Sequence, residues 1–357
     1  MLRLELRSET PRALLLGAPL LAIGFTLLIS SLLVAWAGAP VGQAYALLLQ
    51  GGFGSRFAIT ETLTRATPLI FTGLAAAVAF RARLFNIGAE GQLYLGALAA
   101  VAVGGLHGGT GFGLAPWLLL PLMMAAAALA GAALLLVPAL LKSRLAVDEV
   151  VVTLLLNFIV LLFVGAMLDA PMKDPTSMGW PQSVAIQEVL QLDKLVPRSR
   201  VHTGLLGALA CALALWALLR FTTLGFEIRA VGSGARAAAF AGMPVGWVTV
   251  KVALLSGALA GVAGAVEVAG RAGYVTLDMS PGYGYSGIVI AMLAALHPLG
   301  VVAAAVFVAG ILVGADSMSR VVGVPTYIAE VINAVALLSV LVATMFTQYR
   351  LHWIRAR

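Results

Sequence analysis

Charge is what this sequence has least of. Asp, Glu, Lys and Arg together make up 10% of its 357 residues, against 61% hydrophobic residues. A soluble domain carries roughly a quarter charged residues, so this chain has too little charge to cover a water-facing surface of the area it would need. With a mean hydropathy of +1.03, its solvent is lipid. Cysteine is nearly absent as well. The single Cys211 stands in the apolar run from Leu205 to Leu219, which excludes an intrachain disulfide and a cysteine metal site. Catalytic punctuation is also missing. There is no G-x-x-x-x-G-K-[ST] loop to cradle nucleotide phosphates, so the chain is not expected to carry its own ATPase site. No H-E-x-x-H or G-x-S-x-G occurs, and His107, His202, His297 and His352 are scattered. Neither an enzyme nor a metal or cofactor protein is expected from such a pattern.

The net charge of +7 does not mark a nucleic-acid binder. No basic cluster is interleaved with aromatic residues, and the cations fall at the ends of apolar runs, where topology signals belong. Arg3, Arg7 and Arg12 precede an apolar run ending near Ala35-Trp36-Ala37. At about 24 residues that run exceeds the h-region of a signal peptide, and it reads as a first spanning helix.

A bilayer core takes roughly 20 apolar residues per helix. Spans are predicted near 14–37, 62–80, 86–106, 116–141, 149–168, 204–220, 249–269, 286–299, 300–316 and 327–346. The expected fold is an all-α polytopic membrane protein of about ten transmembrane helices, a single transmembrane domain over 1–357. Arginine and lysine in the short loops (Arg81, Arg83, Lys142, Arg144, Arg220, Arg229, Arg236, Arg350, Arg355, Arg357) favour N-in and C-in. Segments 1–13, 221–247 and 347–357 are then cytoplasmic, and the Pro-containing, charge-balanced loop 169–203 is extracytoplasmic.

Small residues recur at helical spacing in Ser256-x-x-x-Ala260-x-x-x-Gly264, in Gly257-x-x-x-Gly261-x-x-x-Ala265, and in Gly310-x-x-x-Gly314. Such faces let helix backbones approach closely, and a packing role is expected for all three.

Polar residues inside lipid face the bundle interior or a pathway. Asn157 and Glu267 qualify, each as an interhelical hydrogen-bonding group or a pathway residue. In Leu84-Phe85-Asn86-Ile87-Gly88-Ala89-Glu90-Gly91-Gln92-Leu93 the polar residues and glycines interrupt apolar sequence. A helix entering there could use Asn86 as its N-cap; an ordinary turn is the alternative. Asp278 to Gly287 is a second irregular segment, with Tyr283 and Tyr285 either as interfacial anchors or as stacking groups. The two breaks are expected to converge, so that Asn86, Glu90, Gln92, Glu267 and Tyr283, with Asn157, border a translocation route. Between 221 and 247 an alanine-rich helix, Ala235 to Gly242, lies beside Glu227, Arg229 and Arg236. A helix that short is marginal alone and is expected to dock on a cytoplasmic partner.

These segments carry a family resemblance. Phe85 to Gln92 resembles the signature of permeases in the branched-chain amino acid, sugar and nucleoside group of bacterial ABC importers, and Ala89-Glu90-Gly91-Gln92 is most similar to the nucleoside (purine) type. Arg229-Ala230-Val231-Gly232, then Ala237-Ala238 and Ala241-Gly242, resembles that family's coupling loop. Ser256 to Ala265 and Ser280 to Tyr285 resemble the spans that follow, and the likeness runs in order over roughly residues 60 to 345. Ser286 departs from the pattern, which has an acidic residue there, and Ser233-Gly234 lacks the usual asparagine-type residue. The resemblance implies a multi-pass inner-membrane permease taking up nucleosides or purine-like solutes, without cofactors of its own. It implies a homologous second permease subunit, an extracytoplasmic substrate-binding lipoprotein, and a cytoplasmic ABC ATPase engaged through Glu227, Arg229, Gly232, Arg236, Ala238 and Gly242. A sugar permease of the same group and an ion-coupled secondary transporter using Glu267 are the alternatives.

Overall fold

The computed structural model describes residues 2–6, 12–38, 40–105, 115–323, isolated positions between 331 and 343, and 349–353. In chain order the helices are α1 (Arg12–Trp36), α2 (Val41–Phe53), α3 (Arg56–Arg81), α4 (Ala89–Gly104), α5 (Pro116–Leu145), α6 (Glu149–Asp169), α7 (Gly204–Phe221), α8 (Thr223–Ser233), α9 (Ala235–Phe240), α10 (Val245–Glu267), α11 (Tyr283–Leu293) and α12 (Pro298–Val322). A π-turn, Val268–Ala272, extends α10. The all-α expectation meets one exception. Leu2–Leu6 (β1) and Tyr349–Trp353 (β2) form an antiparallel ribbon that pairs Leu4 with Leu351.

Among the described residues six helices are long and apolar enough to cross a bilayer, or seven if the bent pair Gly24–Trp36 and Val41–Phe53 is one span. α4 and α11, with 16 and 11 residues, are shorter than the roughly 20 that a full crossing takes. The expected span 327–346 lies largely outside the described residues. The sequence reading did not anticipate α2. It follows α1 after Pro40, and the two axes differ by 116°. The span expected at 286–299 is also redrawn. α11 starts earlier, after Gly282 in the left-handed region (φ 81°), and stops at Leu293. Ala295 and Leu296 take positive φ, and His297 precedes Pro298, a position where helix is disfavoured.

The chain divides into two compact units. In the unit formed by Met1–Thr62 and Phe307–Arg357, α2 lies against the C-terminal part of α12. A Cβ on Gly52 would fall 2.3 Å from the Gly310 carbonyl oxygen, and one on Gly314 would fall 2.0 Å from that of Leu48. The Gly310/Gly314 face therefore does the packing expected of it. Val34, Ala44, Ala315 and Met318 close the core beside it.

In the unit Leu63–Val306, α10 packs against α5 and α4. A Cβ on Gly261 would meet the Ala127 carbonyl oxygen at 2.1 Å, and one on Gly264 would meet that of Leu93 at 2.0 Å. The small-residue faces of α10 thus serve two neighbouring helices at once. α6 carries Leu154, Leu155, Phe158, Ile159 and Leu162 exposed on its outer side, as a lipid-facing helix would. The loop 169–203 is tied down by isolated bridges, Gly105 to Ile186 and Gln182 to Thr276, so it covers the ends of α4 and α10 rather than hanging free.

Candidate functional site

The break before α4 is built by side chains that replace missing helix hydrogen bonds. The helix begins at Ala89 with Gly88 as its cap, two residues later than an Asn86 N-cap would start it. Asn86 instead accepts the Gly88 N–H on Oδ1 (2.9 Å), an Asx-type bond that holds the chain out of helix. Its Nδ2 donates to Gln92 Oε1 (2.9 Å) and to Ser256 Oγ (3.2 Å), while Gln92 Nε2 returns a bond to Asn86 Oδ1 (2.9 Å). Ser256 donates onward to the Ala75 carbonyl at 2.8 Å. The break on α4 is thereby tied to α10 and α3.

α6 supplies the other half of the knot. Asn157 Oδ1 accepts the Gly91 N–H (2.8 Å), and its Nδ2 donates to the Ile87 carbonyl (2.8 Å) and to the Tyr285 hydroxyl (3.1 Å). One turn earlier Thr153 accepts the Ile87 N–H (3.2 Å), and Glu149 accepts the Phe85 N–H (3.2 Å). Glu149 also pairs with Lys142, whose Nζ donates to the Arg83 carbonyl at 2.6 Å. Residues 83–91 therefore run along α6 much as a strand runs along its neighbour. Asn86, Gln92 and Asn157 are buried to 1% exposure or less, and each amide finds partners, as buried polar groups must.

The two irregular segments do converge. Glu90 Oε2 accepts the Gly284 N–H at 2.6 Å, and a Cβ on Gly284 would lie 2.2 Å from the Glu90 nitrogen. Only glycine permits that approach at the start of α11. Tyr94 ties the same segment from α4, donating to the Leu277 carbonyl (2.6 Å) and accepting the Ser280 N–H (3.2 Å). Tyr283 is not an exposed interfacial anchor. It is 1% exposed, its carbonyl accepts from Thr72 Oγ1 (2.9 Å), and its hydroxyl lies 3.5 Å from Arg271 Nη1. Glu267, at the end of α10, pairs with Arg271 one turn on. The sequence reading missed Thr153, Ser256 and Tyr94 as members of this network. Their hydroxyls were visible, but their partners lie up to 186 residues away along the chain.

The 221–247 segment forms two helices. α8 is capped by Thr222, whose Oγ1 accepts the Gly225 N–H at 3.1 Å. At its far end Gly232 presses on the end of α3, where a Cβ would fall 1.9 Å from the Arg81 carbonyl oxygen. Glu227 is half-buried, and Arg229 donates to the Leu219 carbonyl. α9 buries Ala238 and turns Arg236 outward, and Gly242 (φ 82°) makes the left-handed turn toward α10. Phe240, four residues after Arg236 and 97% exposed, is a knob that the sequence reading did not single out. Among the described residues no group of His, Cys, Asp and Glu could hold a metal ion.

A family model described as branched-chain amino acid transport system / permease component matches residues 58–345. A glucose ABC transporter permease protein of Haloferax volcanii is 37% identical over 98% of this chain and 93% of its own. A guanosine ABC transporter permease protein of Bacillus subtilis is 37% identical over 90% and 92%. A nucleoside ABC transporter permease protein of Lactococcus lactis is 30% identical over 88% of each. A solved ABC transporter in an inward-facing conformation aligns over 93% of this chain at 16% identity and a TM-score of 0.43, too loosely to carry an argument. With the polar knot falling inside the matched region, the chain belongs to the branched-chain amino acid transport system permease component family of ABC transporters.

Proposed function

We propose that this chain is the inner-membrane permease subunit of an ATP-driven importer for nucleosides or related purine-like solutes. It works with a homologous second permease, a cytoplasmic ATPase and an extracytoplasmic binding lipoprotein. The carrying observation for the substrate class is the 37% identity to a guanosine permease over 90% of the chain. The β1–β2 ribbon supports both ends on one side of the bilayer. The basic residues Arg83 and Lys142 at the break, at the end of the helices opposite the 105–186 bridge, favour that side being the cytoplasm.

α9 is the coupling element, with Arg236 and Phe240 presented to the ATPase and Glu227, Arg229, Gly232, Ala238 and Gly242 fixing its position. A movement of α9 passes to α3 through the Gly232–Arg81 contact and to α10 through the turn at Gly242. The knot lies where α3, α4, α6, α10 and α11 meet. In this reading Asn86, Gln92 and Asn157 hold the broken helix as positioning residues, while Glu90, Glu267 and Tyr283 border the route beside them. A nucleoside needs only passing polar contacts there, since tight binding would slow release.

A sugar substrate is the second reading, favoured by the glucose permease relative at the same identity. Uptake of radiolabelled guanosine, adenosine, uridine and glucose into cells expressing the chain with its neighbouring transporter subunits decides between them. Saturable nucleoside uptake that unlabelled glucose does not inhibit is expected. Glucose uptake without nucleoside uptake would overturn the proposal.

A further inference from the structure

A cavity of about 320 Å³ lies where the ends of α3, α7 and α8 meet the turn before α12, lined by Arg81, Trp216, Leu219, Arg220, Arg229, His297 and Pro298. Its charge is one-sided. Among the described residues three guanidinium groups and an imidazole line it, and no carboxylate does. Among the described residues no ion pair neutralises any of the three arginines. Local structure forces this arrangement. The close approach of Gly232 to the Arg81 carbonyl brings α8 onto α3, so Arg229 and Arg81 share one cavity. Arg229 is held by the Leu219 carbonyl, and Arg220 sits over the Phe221 ring with 5.8 Å between guanidinium carbon and ring centre. His297 accepts the Gly300 N–H on Nδ1 at 3.4 Å, which leaves Nε2 as a donor. Like charges collected without a counter-charge make a site for an anion, and guanidinium forks match phosphate oxygens bidentately.

The surroundings say which anion. Leu206, Leu213 and Arg220 recur every seven residues on α7 and so share one face. Leu206 and Leu213 are 54% and 55% exposed, a stripe suited to an acyl chain that leads to the exposed Arg220. Trp216 lines the cavity at the same level, as aromatic residues do at the membrane–water boundary. We propose that this cavity binds the phosphate headgroup of an anionic phospholipid, with an acyl chain lying along the Leu206–Leu213 stripe. Because Arg229 belongs to the helix that precedes α9, the headgroup would brace the base of the coupling element.

The test is lipid retention by the purified full-chain transporter complex, titrated with phosphatidylglycerol or phosphatidylcholine and read by native mass spectrometry. The wild type is expected to retain phosphatidylglycerol preferentially. Each arginine near a membrane surface contributes about a fivefold gain in anionic-lipid affinity. The double variant Arg81→Gln/Arg220→Gln should therefore weaken retention about 25-fold, and Arg220→Lys should keep most of it. Should the double variant fail to assemble, Arg220→Gln alone is read, since Arg220 is exposed; about a fivefold loss is then expected. Equal retention by variant and wild type overturns the proposal, as does equal retention of the two lipids. Displacement of the lipid by inorganic phosphate or ATP would make the cavity a soluble-anion site and overturn the lipid assignment.

Discussion

Asn86 and Gln92 exchange two hydrogen bonds through their side-chain amides, Nδ2 to Oε1 and Nε2 to Oδ1, both at 2.9 Å and both out of reach of solvent. Six residues apart, they staple the break before α4 to the helix it interrupts. Removing one amide strands the other: Gln92→Ala leaves a donor and an acceptor on Asn86 with fewer partners. Asn86→Ala also frees the Gly88 N–H and Ser256. Each unsatisfied buried group costs roughly 1–3 kcal/mol. Asn86→Ala is expected to lower the thermal midpoint in detergent more than Gln92→Ala does. Midpoints within a degree of wild type for both would show that the staple is dispensable.

Glu90 distinguishes a structural acid from one that faces the route. Glu90→Gln keeps an oxygen to accept the Gly284 N–H, although an uncharged acceptor makes a bond roughly half as strong. Assembly should survive and initial uptake rates in proteoliposomes should fall severalfold, whereas Glu90→Ala should lose yield outright. The same comparison applies to Glu267→Gln, which keeps the geometry toward Arg271 but not the charge. Normal uptake with reduced yield in both Gln variants would assign the two acids to packing alone.

The coupling role proposed for α9 predicts a different signature. Arg236 and Phe240 are both exposed on α9. Arg236→Glu and Phe240→Ala should leave expression, melting and lipoprotein binding unchanged while cutting substrate-stimulated ATP turnover and transport. An exposed aromatic anchor at the centre of an interface is commonly a hot spot, with truncation costing about 2 kcal/mol or more. Pull-down of the ATPase by the variant permease measures the loss directly. Unaltered ATPase affinity in both variants would remove α9 from the interface.

Much of this was legible in the sequence, for a physical reason. Spanning helices announce themselves as apolar runs, and glycine at every fourth residue announces close packing, because both effects act locally along one helix. The convergence of 84–93 with 278–287 was readable because lipid forbids polar backbone without partners. What was not legible depends on distant partners. Whether Asn86 caps a helix or staples a break is decided by Gln92, Ser256 and α6, and only the fold brings Asn157 to Ile87. α2 escaped notice because its 13 residues fall short of a span, and α8 because its glycines and Thr223 read as a loop until Thr222 caps it.

His202 provides the last prediction, in the loop before α7 and outside the spanning segments. It is 1% exposed, and neither ring nitrogen has a hydrogen-bond partner among the described residues. The ring fills the space beside Gly204 and Gly270, where a Cβ on Gly270 would come within 2.3 Å of it. Burial disfavours the charged form and pushes the His202 pKa down from 6.5 to about 4. The sign follows from proton counting. Between these two values the unfolded chain binds a proton that the folded chain does not, so stability rises with pH across that window. The contribution is fully present above pH 6.5 and is lost as pH falls toward 4, to a limit of about 3 kcal/mol. His202→Phe keeps a ring in the same space and removes the titration. Thermal midpoints recorded from pH 8 to 4 should therefore fall less steeply below pH 6.5 for the variant than for the wild type. Parallel curves across that range would mean that His202 takes up its proton without unfolding anything, and that its burial does not control the acid stability of this loop.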